Sequence, residues 1–358
     1  NKPTRPSPKD AKKLQKNFKP FCKEAAKIIL AADIFLLSCG AGFSADSGLA
    51  VYNDVADIKA YKDRELEYVD ICQPLWLEQE PGLFYGFWGK CFNDYRATTP
   101  HKGYFIIKRW RDELFSQNDY WEKEETEGLI EGMEKLKLEG KVTVSSKTLQ
   151  KVPGPFFVYT SNVDAHTLKP GLFKPYEVNQ IHGNTETWQC AYKCTQKLWR
   201  APKDFEFKID KKTMHANNFP VESKKKGFRN NQPTCKHCGK AARPSILMFS
   251  DAFWIKDVYG ATQYNDWDAK ATAAVNKGAK IVILEIGCGD RVPTLRRHSS
   301  KLLDKWGDQA KLIRVNLDFP LPDDGEKLLP IMGKGLATIL EIDNHIKAML
   351  KKNKKNKT

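Results

Sequence analysis

The feature that most constrains the fold is an apolar run, Ile34-Phe35-Leu36-Leu37, that breaks abruptly into Gly40-Ala41-Gly42, with Ser44, Ser47 and Gly48 just beyond. Such a run reads as a parallel strand buried on both faces, which obliges the chain to supply helices that cover it. The glycines let a backbone approach an anion with no Cβ in the way, so the turn reads as a phosphate cradle between strand and helix. Alone, Gly-x-Gly equally fits a tight turn with no ligand.

At 358 residues the chain holds one large domain and a smaller one. No stretch approaches the ~20 apolar residues that span a bilayer, and 1–20 contain no apolar export segment. The expectation is an intracellular protein, cytoplasmic or nuclear, without a membrane partner. The net charge of +15 is localised. Residues 1–20 carry seven Lys or Arg against Asp10, 351–358 carry five Lys, and 193–243 carry fourteen basic against four acidic residues. The two ends read as basic disordered tails, the alternative being an acidic or nucleic-acid partner bound through them.

Along the chain, 21–32 reads as a helix with Ala25, Ala26, Ile28 and Ile29 on one face, and 61–88 as an aromatic-rich helical stretch. Thr98-Thr99-Pro100-His101 has the composition of a helix start, and 112–151, rich in Glu, Lys and Gly, reads as a charged surface insertion with some helical turns. Phe156-Phe157-Val158-Tyr159 is a strand that ends in Thr160-Ser161-Asn162-Val163-Asp164. Ligands bind at that end of strands in doubly wound sheets, which makes Asn162 and Asp164 candidates, with an Asx turn as the alternative. A short strand over 176–181 ends in His182-Gly183, where a side chain can project into a cleft. Residues 243–249 read as a strand rejoining the core, 267–277 as a helix, 279–286 and 311–315 as strands, and 339–350 as a terminal helix. Gly287-Cys288-Gly289-Asp290 forms a second small-residue turn, and Asn316 closes the strand before it. Alternating strands and helices predict an α/β fold, a Rossmann-like doubly wound parallel sheet over 21–183 and 244–350.

Cys190 and Cys194 form one close pair, Cys235 and Cys238 another, the spacing by which Zn²⁺ takes four thiolates in a closed structural site. Residues 184–243 are therefore read as a smaller inserted zinc-binding module, with His237 as an alternative ligand and 195–234 as a mobile loop.

These residues together resemble the sirtuins, the NAD-dependent protein deacylases, and in the family's order. The opening turn resembles the family's Gly-Ala-Gly-x-Ser-x-x-Ser-Gly, Thr160 to Asp164 its Thr-Gln-Asn-Ile-Asp, and His182-Gly183 its His-Gly. The cysteine pairs resemble its zinc knuckles, Phe249-Ser250-Asp251 its Phe-Gly-Glu, and Val315-Asn316 its ribose-contacting strand end. The resemblance implies NAD as cofactor, facing Gly40, Ala41, Gly42, Ser44, Tyr52, Ser161, Gly287, Cys288 and Asn316. It implies Asn162 and Asp164 at the nicotinamide and its ribose, His182 as general base, and an acyl-lysine protein or peptide as substrate. The products implied are lysine, nicotinamide and an O-acyl-ADP-ribose.

The chain departs from the family near that chemistry. Ala50-Val51-Tyr52-Asn53 stands where most sirtuins have Pro-Asp-Phe-Arg, Ser161 replaces Gln, and Cys288-Gly289 replace Thr-Ser. Ser250 replaces the Gly against which a peptide backbone would pack. The expected activity is protein-lysine deacylation. ADP-ribosyl transfer or NAD hydrolysis on the same fold is the first alternative, and a non-enzymatic NAD-binding scaffold the second.

Overall fold

The computed structural model of the chain describes residues 3–51, 53–116, 118–121, 127–140, 142, 144–149, 151–323 and 327–355. Its strands, in chain order, are β1 (Ile34–Cys39), β2 (Phe156–Thr160), β3 (Val178–Gln180), β4 (Gly183–Cys190), β5 (Trp199–Arg200), β6 (Ala242–Ile246), β7 (Ile281–Ile286), β8 (Ala310–Val315) and β9 (Leu328–Ile331). Among the described residues one sheet runs β3-β2-β1-β7-β8-β9 with every neighbouring pair parallel, and a second runs β5-β4-β6 with antiparallel pairs.

All of β1 and β7 is buried, including Ser38 and Glu285, the latter paired with Arg314 at 2.6 Å. Phe35, Leu37 and Cys39 pack with Ala25, Ile29 and Ile107 on one face, and Ile34 and Leu36 with Trp267, Ala271 and Trp306 on the other. Helices Phe18–Ala31, Lys102–Leu114 and Gly335–Lys355 cover the first face, Val258–Asn276 and Thr294–Trp306 the second. The result is a Rossmann-like doubly wound sheet. The chain builds outward from β1 to β3, returns to the centre at β7, and builds outward again to β9. The connections after β1 and β7 therefore diverge, and a crevice opens at their C-terminal ends.

The small sheet packs on an aromatic cluster in which Trp188, Phe205, Phe207 and Phe228 meet Phe84, Phe87 and Phe92 of helix Pro81–Ala97. Residues 195–234, expected to be mobile, are packed there. Residues 243–249 also differ from expectation, because they form β6 beside β4 rather than a strand of the main sheet. The chain leaves Cys238 already next to β4, where antiparallel pairing needs no crossover helix.

Two more differences lie at the ends and in the aromatic stretch. Residues 1–20, expected as a disordered tail, contain helix Pro8–Lys16, capped by the Ser7 side chain with Pro8 in its first turn and Leu14 buried. The lysine-rich end continues helix Gly335–Lys355, and 356–358 lie outside the described residues. The stretch 61–88 is broken into short helices, with Pro74 between two of them and Pro81 starting the long one. In the charged insertion, helix Glu127–Leu138 brings Met133 with Val142 and Leu149 onto Tyr259. Among the described residues no helix is long and apolar enough to cross a membrane.

Candidate functional site

The two small-residue turns meet at the centre of the sheet. Gly42 N–H donates to Gly287 O at 3.1 Å, and a Cβ on Gly40 would stand 2.7 Å from that same oxygen. Gly287 has φ +65°, and a Cβ there would lie 2.3 Å from the Phe43 nitrogen. Only glycine lets the turns touch this closely.

Beneath them is a buried hydrogen-bonded cluster. Ser44 Oγ donates to Asp164 Oδ2 at 2.5 Å and accepts from Asn162 Nδ2 at 3.0 Å. With its hydrogen given to Asp164, it also accepts from Tyr104 Oη at 3.0 Å. Asn162 Nδ2 donates further to Gly40 O, and His166 N–H donates to Asp164 Oδ1. Thr160 Oγ1, at the end of β2, donates to Cys39 O and accepts from Asn162 N–H, which ties β1 to the polar turn. Asn162 Oδ1 is buried with no hydrogen-bond partner. A buried acceptor left alone is expensive, and a bound amide or hydroxyl would satisfy it.

His182 links the two sheets, between β3 and β4. Its carbonyl accepts from Leu247 N–H at 3.0 Å, and Gly183 after it has φ +75°, with Ser245 O only 1.8 Å from where a Cβ would be. Burial holds the His182 imidazole below the ordinary histidine value, a hydrogen bond with the Ser161 backbone acting the other way. The ring is neutral at pH 7 and able to accept a proton.

Two cavities border these groups. One of about 300 Å³ is lined by Ala41, Ser44, Ser161, Asn162, Asp164 and His182 on one side and by apolar side chains on the other. The second, about 740 Å³, is lined by Gly42, Gly287 and Asn316, together with Arg5, Phe319 and Lys334. Gly40 closes the turn behind them. Cys288 does not line either cavity: its thiol is buried, with Ser38 O at 3.8 Å, and its carbonyl accepts from Asn316 Nδ2 at 2.8 Å. Tyr52 lies outside the described residues. Sequence reasoning missed Tyr104 and Thr160. It also missed Arg5, whose guanidinium lies 3.6 Å from Asp318 and 5.5 Å from the Phe319 ring centroid. The Thr98–His101 helix start was the available signal for Tyr104, but nothing in a lysine-rich end points to Arg5.

The four cysteine sulfurs lie within 4.8 Å of one another, with Cys190 and Cys238 at 3.8 Å and Cys194 and Cys235 at 3.6 Å. Zn–S bonds of ~2.3 Å in a tetrahedron give S···S edges of ~3.8 Å, so the cluster fits that ion. His237 is not part of it. Gly239, at φ +76°, turns the second knuckle, and a hydrogen bond with the Lys240 backbone lowers the Cys238 thiol to about 7.

Residues 137–269 match the model of the Sir2 family. Over those residues the chain is similar to the Sir2 family. Solved structures extend the likeness in fold to nearly its whole length. A Sir2 homologue in complex with NAD is 16% identical over 91% of this chain and 94% of its own, at a TM-score of 0.52. A mutant Sir2 homologue in complex with ADP-ribose is 15% identical over 92% and 97%, also at 0.52. Sir2Tm bound to a propionylated peptide is 16% identical over 90% and 98%, again at 0.52. No curated protein matches the chain. The chain thus combines a Rossmann-like sheet with a module whose four-cysteine cluster suits zinc.

Proposed function

We propose that this chain is an NAD-dependent protein-lysine deacylase. One observation carries the reading: the Ser44–Asn162–Asp164 cluster, with its unmatched Asn162 Oδ1, shares a cavity with a neutral His182. The chain's residues suit NAD, since the paired turns leave their backbone uncovered by side chains and the two cavities flank them. The relatives of known structure with NAD or ADP-ribose bound support the same assignment.

When bound, NAD supplies a ribose carbon that can accept the acyl oxygen as nicotinamide departs. Asn162 and Asp164, held rigidly by Ser44, Tyr104 and His166, orient the nicotinamide end. His182 draws a proton from a hydroxyl positioned beside its ring. Over the whole reaction one acyl-lysine, one NAD and one water become lysine, nicotinamide and O-acyl-ADP-ribose. The module's four thiolates would hold Zn²⁺ in a closed set, with no open position for catalysis.

Incubation with NAD and acyl-lysine peptides, with nicotinamide and O-acyl-ADP-ribose quantified separately, tests the reading. Equal amounts of both are expected. Nicotinamide released without peptide would assign hydrolysis or ADP-ribosyl transfer instead, and no release would leave a binding scaffold. His182→Ala should lower deacylation about 10²–10⁴-fold with NAD affinity nearly unchanged.

A further inference from the structure

The cavity that holds His182 has two unlike sides. Besides Asn162 and Asp164 it is lined by Val55, Tyr68, Cys72, Trp88, Met248 and Phe249. Elements far apart in the chain are fastened together to build this side. Phe249 N–H donates to Cys72 O at 3.1 Å, and the Tyr68 and Phe249 rings meet edge-on at 6.1 Å.

Among the described residues the lining includes no Lys or Arg. Arg243, Lys169 and Arg96, which neighbour its lining, are committed to other groups. Arg243 pairs with Asp251 at 2.7 Å, both side chains fully buried, and Asp251 also accepts from Met248 N–H. Lys169 donates to the carbonyls of Tyr95, Arg96 and Thr98, and Arg96 pairs with Glu186 at 2.7 Å. Burial pushes the Cys72 thiol up to about 12, so it too is uncharged at pH 7.

We infer that the apolar side of this cavity accepts an uncharged aliphatic acyl chain longer than acetyl, carried on the lysine of a peptide, and rejects chains that end in a carboxylate. The inference rests on the deacylase reading. Each methylene buried against Val55, Tyr68 or Trp88 adds affinity, whereas a terminal carboxylate would be stripped of water with no cation to meet it. Acetyl reaches too little of this surface to draw on it.

Calorimetric titration of the full chain with one peptide, its lysine unmodified, acetylated, hexanoylated or succinylated, tests this directly. The hexanoyl peptide should bind at least tenfold more tightly than the acetyl peptide, and the succinyl peptide no more tightly than the unmodified one. Equal binding of hexanoyl and acetyl, or a preference for succinyl, would overturn the inference. Nicotinamide release with NAD is followed on the same peptides. Release that ignores chain length would refute the inference and keep the deacylase reading. Selective hexanoyl binding without release would keep the acyl site and refute that reading. No binding of any acyl peptide would overturn both. Val55, half-buried on the short helix Asn53–Ala56, gives two variants. Val55→Arg should lower hexanoyl affinity at least tenfold and raise succinyl affinity. Val55→Phe should lower hexanoyl affinity and spare acetyl. Hexanoyl affinity unchanged in both would overturn the assignment of this wall.

Discussion

The two sheets stabilise themselves by different means, and the site lies where they meet. The parallel sheet is buried on both faces, and its residues reach the crevice from strand ends fixed by the core: Ser44 after β1, Asn162 and Asp164 after β2. The small antiparallel sheet has an aromatic cluster on one side and four cysteines at its rim, of which Cys194 and Cys238 are exposed. It delivers His182 at its entry and Met248 and Phe249 at its exit. The proposed catalytic cluster thus rests on a large core, and the proposed base and apolar wall on a small sheet of three strands.

The most severe way to break this comparison is to deny the four cysteines the Zn²⁺ that their cluster suits. Chelation, or Cys238→Ser, should unfold the module at a cost of several kcal/mol and abolish nicotinamide release, while the parallel sheet keeps its secondary structure. Native mass spectrometry should report one metal ion lost, and circular dichroism should show helix retained as tryptophan fluorescence shifts. A metal-free chain that stayed fully folded would remove the asymmetry.

Acid should act on the larger body instead. His298 stacks on Tyr159 with ring centroids 4.1 Å apart, and its Nε2 lies 2.8 Å from Tyr264 Oη. Burial lowers it from 6.5 to about 4. The unfolded chain takes up this proton below pH 6.5 and the folded chain only near 4, so the stabilisation is complete above 6.5 and is lost as pH falls between those values. The loss is on the order of 3 kcal/mol. Denaturant melts across pH 4–7 should have this slope, and His298→Gln should flatten it. An unchanged slope in that variant would assign the acid sensitivity elsewhere.

Within the cluster itself, Ser44→Ala deletes one of two acceptors for Asn162 Nδ2 and a donor to Asp164, and should cost roughly 1–3 kcal/mol in stability. Its effect on NAD affinity should exceed that of any change at Cys288, which lines neither cavity. Calorimetry on both variants ranks them.

What was legible in the sequence follows the same division. β1 and β7 are apolar runs whose burial is local to read, and Asn162, Asp164 and His182 stand at strand ends where position alone marks them. β4 escaped because its buried residues include Asn184, Thr185, Thr187 and Gln189, polar groups that read as exposed although Gln189, for one, is satisfied by the distant Phe253 O and Ile255 N. Helix Thr294–Trp306 escaped because Arg296 reads as a solvated charge. In the fold it is buried and bonded to Asp323 and to the carbonyls of Phe319 and Leu321. The apolar wall was unreadable for a related reason. Val55 and Tyr68 lie on short helices, Cys72 caps the second of these and Trp88 lies on the long helix Pro81–Ala97, and no periodicity announces that they converge on one cavity.

The smallest expected effect lies at Ser250, where a departure from the family pattern meets the backbone. The sequence suggests that losing a glycine here reshapes the peptide edge. In the fold, Ser250 takes φ +54°, a left-handed conformation that glycine adopts freely and serine at a cost. The turn is imposed from both sides. Phe249 N–H is held by Cys72 O, while Asp251 is locked by Arg243 and accepts from Phe253 N–H. The chain thus keeps the turn and bears the strain. Ser250 is exposed, so Ser250→Gly relieves that strain and removes no buried contact. It should stabilise the protein by about 0.5–1 kcal/mol. A rise in melting temperature of a few degrees or less is expected, with acyl-peptide affinity unchanged. A fall in melting temperature, or a changed peptide affinity, would mean that the serine side chain itself serves the cleft.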